Sequence, residues 1–242
     1  MSEPVDLFAA ALWKLYATGR ATLRLERDDG FQDREELSWY LTTYRDFPKF
    51  EKQALRFVRG NVLDVGCGAG RHALYLQGKG LPVIAIDTSS QLVELARVRG
   101  VQSARVASAC GRMPFGDGEF DTVLLFGNNL GICGTLPRFR RMLRELNRIT
   151  STRGRILAST RAPDMTDAMQ RAYLQRNIAQ GLPVGQVRLR LSLDGKRGAW
   201  FSLLLFSPTD LMQLALNEGW QIAQLFTETG VEEAYSVVLE KM

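Results

Sequence analysis

The sequence predicts a doubly wound α/β domain, and three observations support this prediction. From residue 61 onward, short apolar runs alternate with helical stretches; a glycine-rich turn follows the first run, and an aspartate ends the second. Apolar runs bounded by turns are typical of buried parallel strands, and repeated β–α alternation implies right-handed crossovers between them. The 242 residues are enough for one such domain.

The predicted elements follow in order along the chain. Helical spacing covers residues 5–18 and 35–59, and a short strand and turn at 22–31 separates them. The apolar runs predict five strands, at 61–65, 82–87, 103–108, 120–126 and 154–160. Helices are predicted between these strands, at about 70–79, 89–99 and 136–149.

The pattern changes after residue 160. A helix is predicted at 164–179, and two strands flank a hairpin signal at Asp194–Gly195. Pro208 fits the first turn of another helix, and two final strands follow it. We therefore expect a single domain with four parts: a helical extension at 1–60, a core at 61–160, a helix-hairpin insertion at 161–207 and a helix with a strand pair at 208–242.

Composition narrows the class of protein. Apolar residues make up 45% and charged residues 24%, which is ordinary for a soluble domain. No apolar run reaches the roughly 20 residues that a membrane span needs, and no signal peptide is visible at Met1–Asp6. The net charge of +5 permits a nucleic-acid partner without requiring one. The densest basic cluster is predicted to be a solvated helix face and comprises Arg138, Arg140, Arg141, Arg144 and Arg148.

The cysteines predict a reducing, cytoplasmic location. Cys67, Cys110 and Cys133 are odd in number and far apart, which argues against a disulfide framework. We expect Cys67 and Cys133 to pack as small apolar side chains. With His72 as the one histidine, a zinc cage is not expected and no metal site is predicted.

The stretch VLDVGCGAG at 62–70 is the most informative part of the sequence. Gly66 can form a tight turn after the strand, and Gly68 and Gly70 leave backbone that a ligand can approach. The helix that follows presents unpaired N–H groups at the same place. Asp87, at the end of the second strand, is placed to accept both hydroxyls of a ribose. A nucleoside-containing cofactor is therefore predicted.

A dehydrogenase that binds a dinucleotide is the alternative. Its loop reads G-x-G-x-x-G, and the third glycine would fall at Arg71. Asp64 also lies two residues before the first glycine, where a dehydrogenase usually has an apolar residue. An acid there can hold an ammonium group, which a dinucleotide lacks.

These residues resemble motif I of the class I S-adenosylmethionine-dependent methyltransferases, with Asp87 as the acid that ends strand two. The likeness continues at 113–126 and 143–160. The resemblance implies a Rossmann-like, seven-stranded, mostly parallel sheet whose antiparallel last strand lies between strands five and six. It also implies a transferase that uses S-adenosyl-L-methionine.

The resemblance further implies a set of cofactor-binding residues, namely Asp64, Gly66, Cys67, Gly68, Gly70, Asp87, Thr88, Cys110 and Asn128. Thr88 or Ser89 would border the adenine, and Asn128 would lie beside the transferable methyl group. Two positions depart from the family. Ala109 stands where an acid often contacts the adenine, and Gly127-Asn128-Asn129-Leu130 replaces the Pro-Pro motif of enzymes that methylate amino groups of DNA and RNA.

Methyl transfer from a sulfonium needs mainly alignment and desolvation, so a general base is optional. The candidates for a catalytic role are His72, Asn128 and Tyr44. A small-molecule acceptor is predicted, with the 161–207 segment as its cover. The alternatives are an RNA or protein methyltransferase that uses the Arg-rich surface, and a non-catalytic module that binds S-adenosylmethionine.

Overall fold

The structure, a computed structural model, describes residues 4–228 and 233–242. Its helices are α1 Pro4–Thr18, α2 Lys49–Leu55, α3 Arg71–Gly78, α4 Ser90–Val98, α5 Leu136–Ile149, α6 Ala168–Ala179 and α7 Pro208–Leu216. Its strands are β1 Leu23–Arg27, β2 Gln32–Glu35, β3 Val62–Val65, β4 Val83–Asp87, β5 Ala104–Val106, β6 Phe120–Leu125, β7 Thr150–Arg161, β8 Gln186–Leu193, β9 Lys196–Arg197, β10 Phe201–Leu204, β11 Trp220–Thr227 and β12 Ala234–Lys241.

Seven strands form the main sheet in the order β11-β12-β7-β6-β3-β4-β5. The pairs β3–β6, β6–β7 and β4–β5 are parallel. The last strand, β12, is antiparallel to both β7 and β11. The predicted mixed sheet, with its last strand inserted between strands five and six, is therefore confirmed.

A second sheet has the order β10-β8-β1-β2, and β9 pairs with β8. The predicted hairpin turn is present, because Leu193 faces Lys196 across Asp194 and Gly195, which both have positive φ. However, β8 also pairs with β1 from Leu23–Leu193 to Arg27–Leu189. The hairpin therefore belongs to a sheet shared with strands near the start of the chain, which local pattern did not reveal.

The continuous helix expected over residues 35–59 is wrong. The structure has two 3-10 helices, Leu37–Leu41 and Tyr44–Asp46, followed by the short α2. Thr42 and Thr43 are extended between the 3-10 helices, with ψ of 165° and 172°. Pro48 then precedes α2, and a proline has no N–H to continue a helix from the preceding residues.

The chain divides into two compact units. The first contains the described residues up to Phe47 with Gly66–Ser108 and Arg188–Phe201; the second contains Pro48–Val65, Ala109–Val187 and the described residues from Ser202 onward. Leucines of α1, β1, α4 and β8 form the core of the first unit. In the second unit the largest fully buried side chains are Trp220, Tyr235, Phe120 and Phe139.

Within residues 4–228 and 233–242, no helix is long and apolar enough to cross a membrane. The same part of the chain has no cluster of three or more His, Cys, Asp or Glu side chains arranged to hold a metal ion.

Cys110 and Cys133 form a disulfide, with 5.4 Å between their Cα atoms. This corrects two expectations, that the cysteines do not pair and that Cys133 packs as a free apolar side chain. The two are 23 residues apart in sequence, and β6 followed by a 3-10 helix at Asn129–Gly131 turns the chain back between them. The cytoplasmic location remains a prediction, now without its argument from the cysteines. Cys67 is free and buried, as expected.

Reduction of the Cys110–Cys133 disulfide should lower the free energy of unfolding by about 3 kcal/mol, because it frees a loop of about this length in the unfolded chain. Urea unfolding with and without dithiothreitol measures the difference. Cys133→Ala is the control, since its stability should not respond to the reductant. Alkylation of three thiols in protein that has never been reduced would contradict the pairing.

Candidate functional site

The glycine-rich loop leaves the end of β3 and is held by backbone hydrogen bonds. The N–H groups of Gly66 and Cys67 both donate to the Ile86 carbonyl, at 2.8 and 3.0 Å. Gly70 N–H closes the turn on the Cys67 carbonyl at 2.8 Å, and α3 begins at the next residue. Gly66, Gly68 and Gly70 all have positive φ, which explains glycine at each.

Asp87 is bound directly to this loop. Its side chain is buried, and its Oδ2 accepts from Gly68 N–H at 3.1 Å while Oδ1 accepts from Ser89 N–H at 3.0 Å. Burial raises the pKa of Asp87 above its ordinary value, although these backbone hydrogen bonds oppose the rise. A carboxylate has about four acceptor sites, so capacity for further donors remains.

Gly68 and Gly70 are required for different reasons. A Cβ added to Gly68 would meet no atom within 4 Å, so the space beside this residue is open. A Cβ added to Gly70 would lie 2.5 Å from Val101 Cγ2 and 3.3 Å from Ala96 Cβ. Gly68 therefore leaves room beside the loop, whereas Gly70 allows the loop to pack against its neighbours.

Arg99 supports the glycine-rich loop, and the sequence pattern did not indicate it. Its guanidinium donates to the Ala69 carbonyl at 2.6 Å, and also to the carbonyls of Tyr40 and Leu41 in the first 3-10 helix. Burial lowers the pKa of Arg99 from its ordinary value. These three carbonyls are bound by one cation, which fixes the loop to the segment before it.

The two residues after β4 have different environments. Ser89 is buried and caps α4, since its Oγ accepts from Leu92 N–H at 3.3 Å. Thr88 is exposed. Of the two residues predicted to border an adenine, Thr88 is therefore exposed, whereas Ser89 is buried and its hydroxyl caps α4.

His72 and Tyr44 lie in one aromatic cluster beside α3. Tyr44 stacks on Tyr75 with ring centroids 4.1 Å apart, and Phe47 meets the buried His72 ring edge-on at 4.8 Å. Burial and a hydrogen bond with Tyr44 raise the pKa of Tyr75. Packing accounts for His72 and Tyr44, and their catalytic role stays a prediction.

In the second unit, polar side chains gather at the carboxyl ends of β3, β6 and β7. Asp64, in β3, is 2% exposed. Asn128 follows β6 with a φ of 68°; its N–H donates to the Ser159 carbonyl at 3.0 Å, and its Oδ1 accepts from Arg161 N–H at 3.1 Å. Asn129 Nδ2 donates to the Val65 carbonyl at 2.9 Å.

Two further residues belong to this group, and no local sequence pattern indicates them. Ser159 Oγ accepts from Gly127 N–H at 2.8 Å and donates to Glu51 Oε1 at 2.9 Å. Both side chains are buried. Glu51 precedes Ser159 by 108 residues, so no local pattern connects them.

The residues expected near an adenine in this unit also have defined positions. Ala109 is buried, and the sulfur of Cys110 is bonded to Cys133. The thiol of Cys110 is therefore not available as a donor, and its predicted contact would have to use the backbone.

Comparison with known proteins supports these features. A family described as a methyltransferase domain matches residues 63–158. A crystal structure of an S-adenosylmethionine-dependent methyltransferase from Bacteroides fragilis, in complex with S-adenosyl-L-homocysteine, has a TM-score of 0.82 and 27% identity, and covers 100% of this chain and 97% of that one.

Curated relatives match shorter stretches. A malonyl-[acyl-carrier protein] O-methyltransferase of Erwinia pyrifoliae is 31% identical over 127 residues, which are 52% of this chain and 45% of that protein. An uncharacterized methyltransferase of Synechocystis is 37% identical over 62 residues, 26% of this chain and 29% of that protein. The chain thus spans less than half the length of these curated relatives.

Residues 63–158 match a methyltransferase domain, and the whole chain has the fold of an S-adenosylmethionine-dependent methyltransferase. The sheet order, the glycine-rich loop with its acid and these similarities together support a class I S-adenosylmethionine-dependent methyltransferase.

The two glycines provide a matched pair of variants. Gly70→Ala should lower the free energy of unfolding by about 2–4 kcal/mol, because left-handed strain adds to the clash with Val101. Gly68→Ala should cost only the strain, about 1–2 kcal/mol. Urea denaturation of both variants checks the order; equal losses would mean that packing does not select Gly70.

Proposed function

We propose that this chain transfers a methyl group from S-adenosyl-L-methionine to a small-molecule acceptor. The observation that carries the proposal is the buried Asp87 carboxylate, held by Gly68 N–H at the glycine-rich loop with acceptor sites to spare. Open space beside Gly68 supports it as well, because a ligand can approach the backbone there.

The residues present fit this cofactor. Asp87 would accept the two ribose hydroxyls, with the loop from Gly66 to Gly70 alongside and Thr88 near the adenine. Asp64 would accept from the ammonium group, as motif I implies. Asn128 would bind the carboxylate, since its Oδ1 is occupied by Arg161 N–H and its Nδ2 donor has no partner among the described residues.

Bound S-adenosylmethionine supplies a methyl group on a sulfonium that is already a good leaving group. The chain's own residues therefore need mainly to orient the reactants and exclude water. The packing of His72 against Phe47 agrees with this, because it gives the imidazole a structural role that needs no acid–base chemistry.

A small acyl group is the proposed acceptor because the Erwinia relative is named as a malonyl-[acyl-carrier protein] O-methyltransferase, although in that relative a carrier protein bears the group. We also propose that residues 161–207 cover the bound acceptor. This segment carries exposed apolar side chains, including Met165 and Met169, at 59% and 53% exposure. A cover that closes over a ligand would protect them from water.

An anionic macromolecule that presents the acceptor is the second candidate. Arg138, Arg140 and Arg141 are exposed on the first turns of α5, and no described acid pairs with them. By contrast, Arg144 pairs with Glu218, and Arg148 with Glu145 and Asp117. Because cations are unfavourable at a helix N-terminus, this exposed charge favours an anionic partner.

Calorimetry with S-adenosylmethionine, S-adenosylhomocysteine, NAD and NADP tests the cofactor. We expect the first two to bind and the dinucleotides not to bind, because Asp64 and the loop spacing suit the former.

Release of S-adenosylhomocysteine across a panel of small carboxylic acids and their thioesters tests the reaction. Tighter binding of a dinucleotide would refute the proposal; cofactor binding without turnover on any acceptor would indicate a non-catalytic module. We expect amide hydrogen exchange in residues 164–198 to slow when both reactants are bound. If it does not slow, the proposal that residues 161–207 cover the acceptor is wrong.

Asp87→Ala should weaken S-adenosylhomocysteine binding by about 1.5–3 kcal/mol, the range for hydrogen bonds to a charged group. Glu94→Ala, which removes an exposed acid of α4 in the same unit, is the control and should leave the affinity unchanged. Unchanged affinity of Asp87→Ala with intact circular dichroism would mean that the ribose is held elsewhere.

The pH dependence follows from the same carboxylate. Burial raises the pKa of Asp87 in the ligand-free fold above 3.8, its ordinary value in an unfolded chain. The ligand-free fold therefore loses stability as the pH rises from 3.8 through the raised pKa, because the buried carboxyl becomes ionised. Cofactor binding uses the ionised form, so affinity should fall as pH is lowered through the raised pKa. Calorimetry from pH 7 downward should show this fall in the parent protein and a weaker one in Asp87→Ala.

A further inference from the structure

The turn after β6 is strained and firmly held. Gly127 and Asn128 are consecutive residues in the left-handed region, with φ of 69° and 68°. This conformation is routine for glycine and uncommon for other residues, among which asparagine tolerates it best. Three hydrogen bonds to β7 hold it. Gly127 N–H donates to Ser159 Oγ, Asn128 N–H donates to the Ser159 carbonyl, and Arg161 N–H donates to Asn128 Oδ1.

The direction of the Ser159 hydroxyl is fixed by its neighbours. Gly127 N–H can only donate, so the Ser159 oxygen must accept from it. The hydroxyl proton therefore goes to the Glu51 carboxyl at 2.9 Å. Donation to that carboxyl increases the negative charge on the serine oxygen and strengthens its bond to Gly127 N–H.

Glu51 is an unusual residue for its position. It is 2% exposed and lies in α2 among the buried Phe50, Ala54 and Leu55. A buried carboxyl costs several kcal/mol unless hydrogen bonds compensate, and an apolar residue of similar size is often as stable or more stable there. An apolar residue in place of Glu51 would not accept from the Ser159 hydroxyl, so the glutamate is needed for that hydrogen bond.

We propose that Glu51 is a positioning residue that acts through Ser159. It orients the serine hydroxyl, which holds Gly127 and Asn128 in their left-handed turn. This turn presents Asn128 Nδ2 as a donor, because Asn128 Oδ1 already accepts from Arg161 N–H. A donor at this point suits the carboxylate at the amino-acid end of the cofactor. The inference rests on the proposed role of Asn128.

Two ligands separate this role from a general structural one. S-adenosylhomocysteine has the amino-acid end, whereas methylthioadenosine keeps the nucleoside and thioether without it. Calorimetry should show that Glu51→Met and Ser159→Ala weaken S-adenosylhomocysteine binding about tenfold, the effect of one hydrogen bond. Methylthioadenosine binding should change by less than about twofold. Glu51→Gln, whose amide oxygen still accepts from Ser159, should resemble the parent protein with both ligands.

The double variant Glu51→Met with Ser159→Ala should be no worse than either single one, because both break the same chain of hydrogen bonds. Equal weakening of both ligands, or no weakening of S-adenosylhomocysteine, would overturn the proposal. If Glu51→Met does not fold, Ser159→Ala and Ser159→Cys provide the same comparison.

Asn128→Asp distinguishes failure of this inference from failure of the proposed function. It replaces the Nδ2 donor with an oxygen at a half-buried position. Loss of S-adenosylhomocysteine affinity in Asn128→Asp but not in the Glu51 and Ser159 variants would refute only the positioning role. No loss in Asn128→Asp would refute the assignment of Asn128 itself, and this inference with it.

Discussion

The hydrogen bond from Gly68 N–H to the Asp87 carboxylate is the contact on which the candidate site depends most. It connects the middle of the glycine-rich loop to the end of β4, while Ser89 N–H holds the other carboxylate oxygen. The loop is held a second time by the Ile86 carbonyl, one residue before Asp87. One strand end thus fixes both the loop backbone and the acid, so their relative position does not depend on flexible side chains.

Burial of this carboxylate has a cost, and its structural partners offset only part of it. Backbone N–H groups of Ser89, Gly68 and Thr88 stabilise the charge, yet burial still raises the pKa of Asp87. An acid in such a place gains from further donors, and a ribose offers two hydroxyls at the required spacing. The same residue that orders the loop can therefore gain from a ligand that donates hydrogen bonds to it.

What the sequence could predict was mostly local. Gly66, Gly68, Asp87 and the strands around them are a continuous pattern, and the structure has them in the predicted elements. Contacts between distant residues could not be predicted: β1 with β8, Arg99 with Ala69, and Glu51 with Ser159. None of these pairs shares a motif, because each is created by packing after the local elements form. The Cys110–Cys133 disulfide is of the same kind, since the turn after β6 brings its halves together.

The irregular backbone in residues 35–59, where one helix was predicted, affects the candidate site. Had the segment been one helix, its backbone carbonyls would have been used internally, and Arg99 could not have bound those of Tyr40 and Leu41. Broken into 3-10 turns, it leaves these carbonyls available and places Tyr44 on Tyr75. Irregular backbone here supports the glycine-rich loop, which a regular helix would not do.

Backbone strain in the described residues is distributed in a way that agrees with the proposed site. Outside glycine, only Asn128 and Asp194 have positive φ among them. Asp194 lies in the two-residue hairpin turn between β8 and β9, where such a conformation is the ordinary requirement of the turn. No hairpin requires it at Asn128, which follows a parallel strand and leads into a 3-10 helix. There the strain is maintained by Ser159, Arg161 and the buried Glu51 behind them. Unusual backbone conformations that the surrounding fold maintains are common at ligand sites, and the carboxyl ends of parallel strands are where α/β sheets bind ligands.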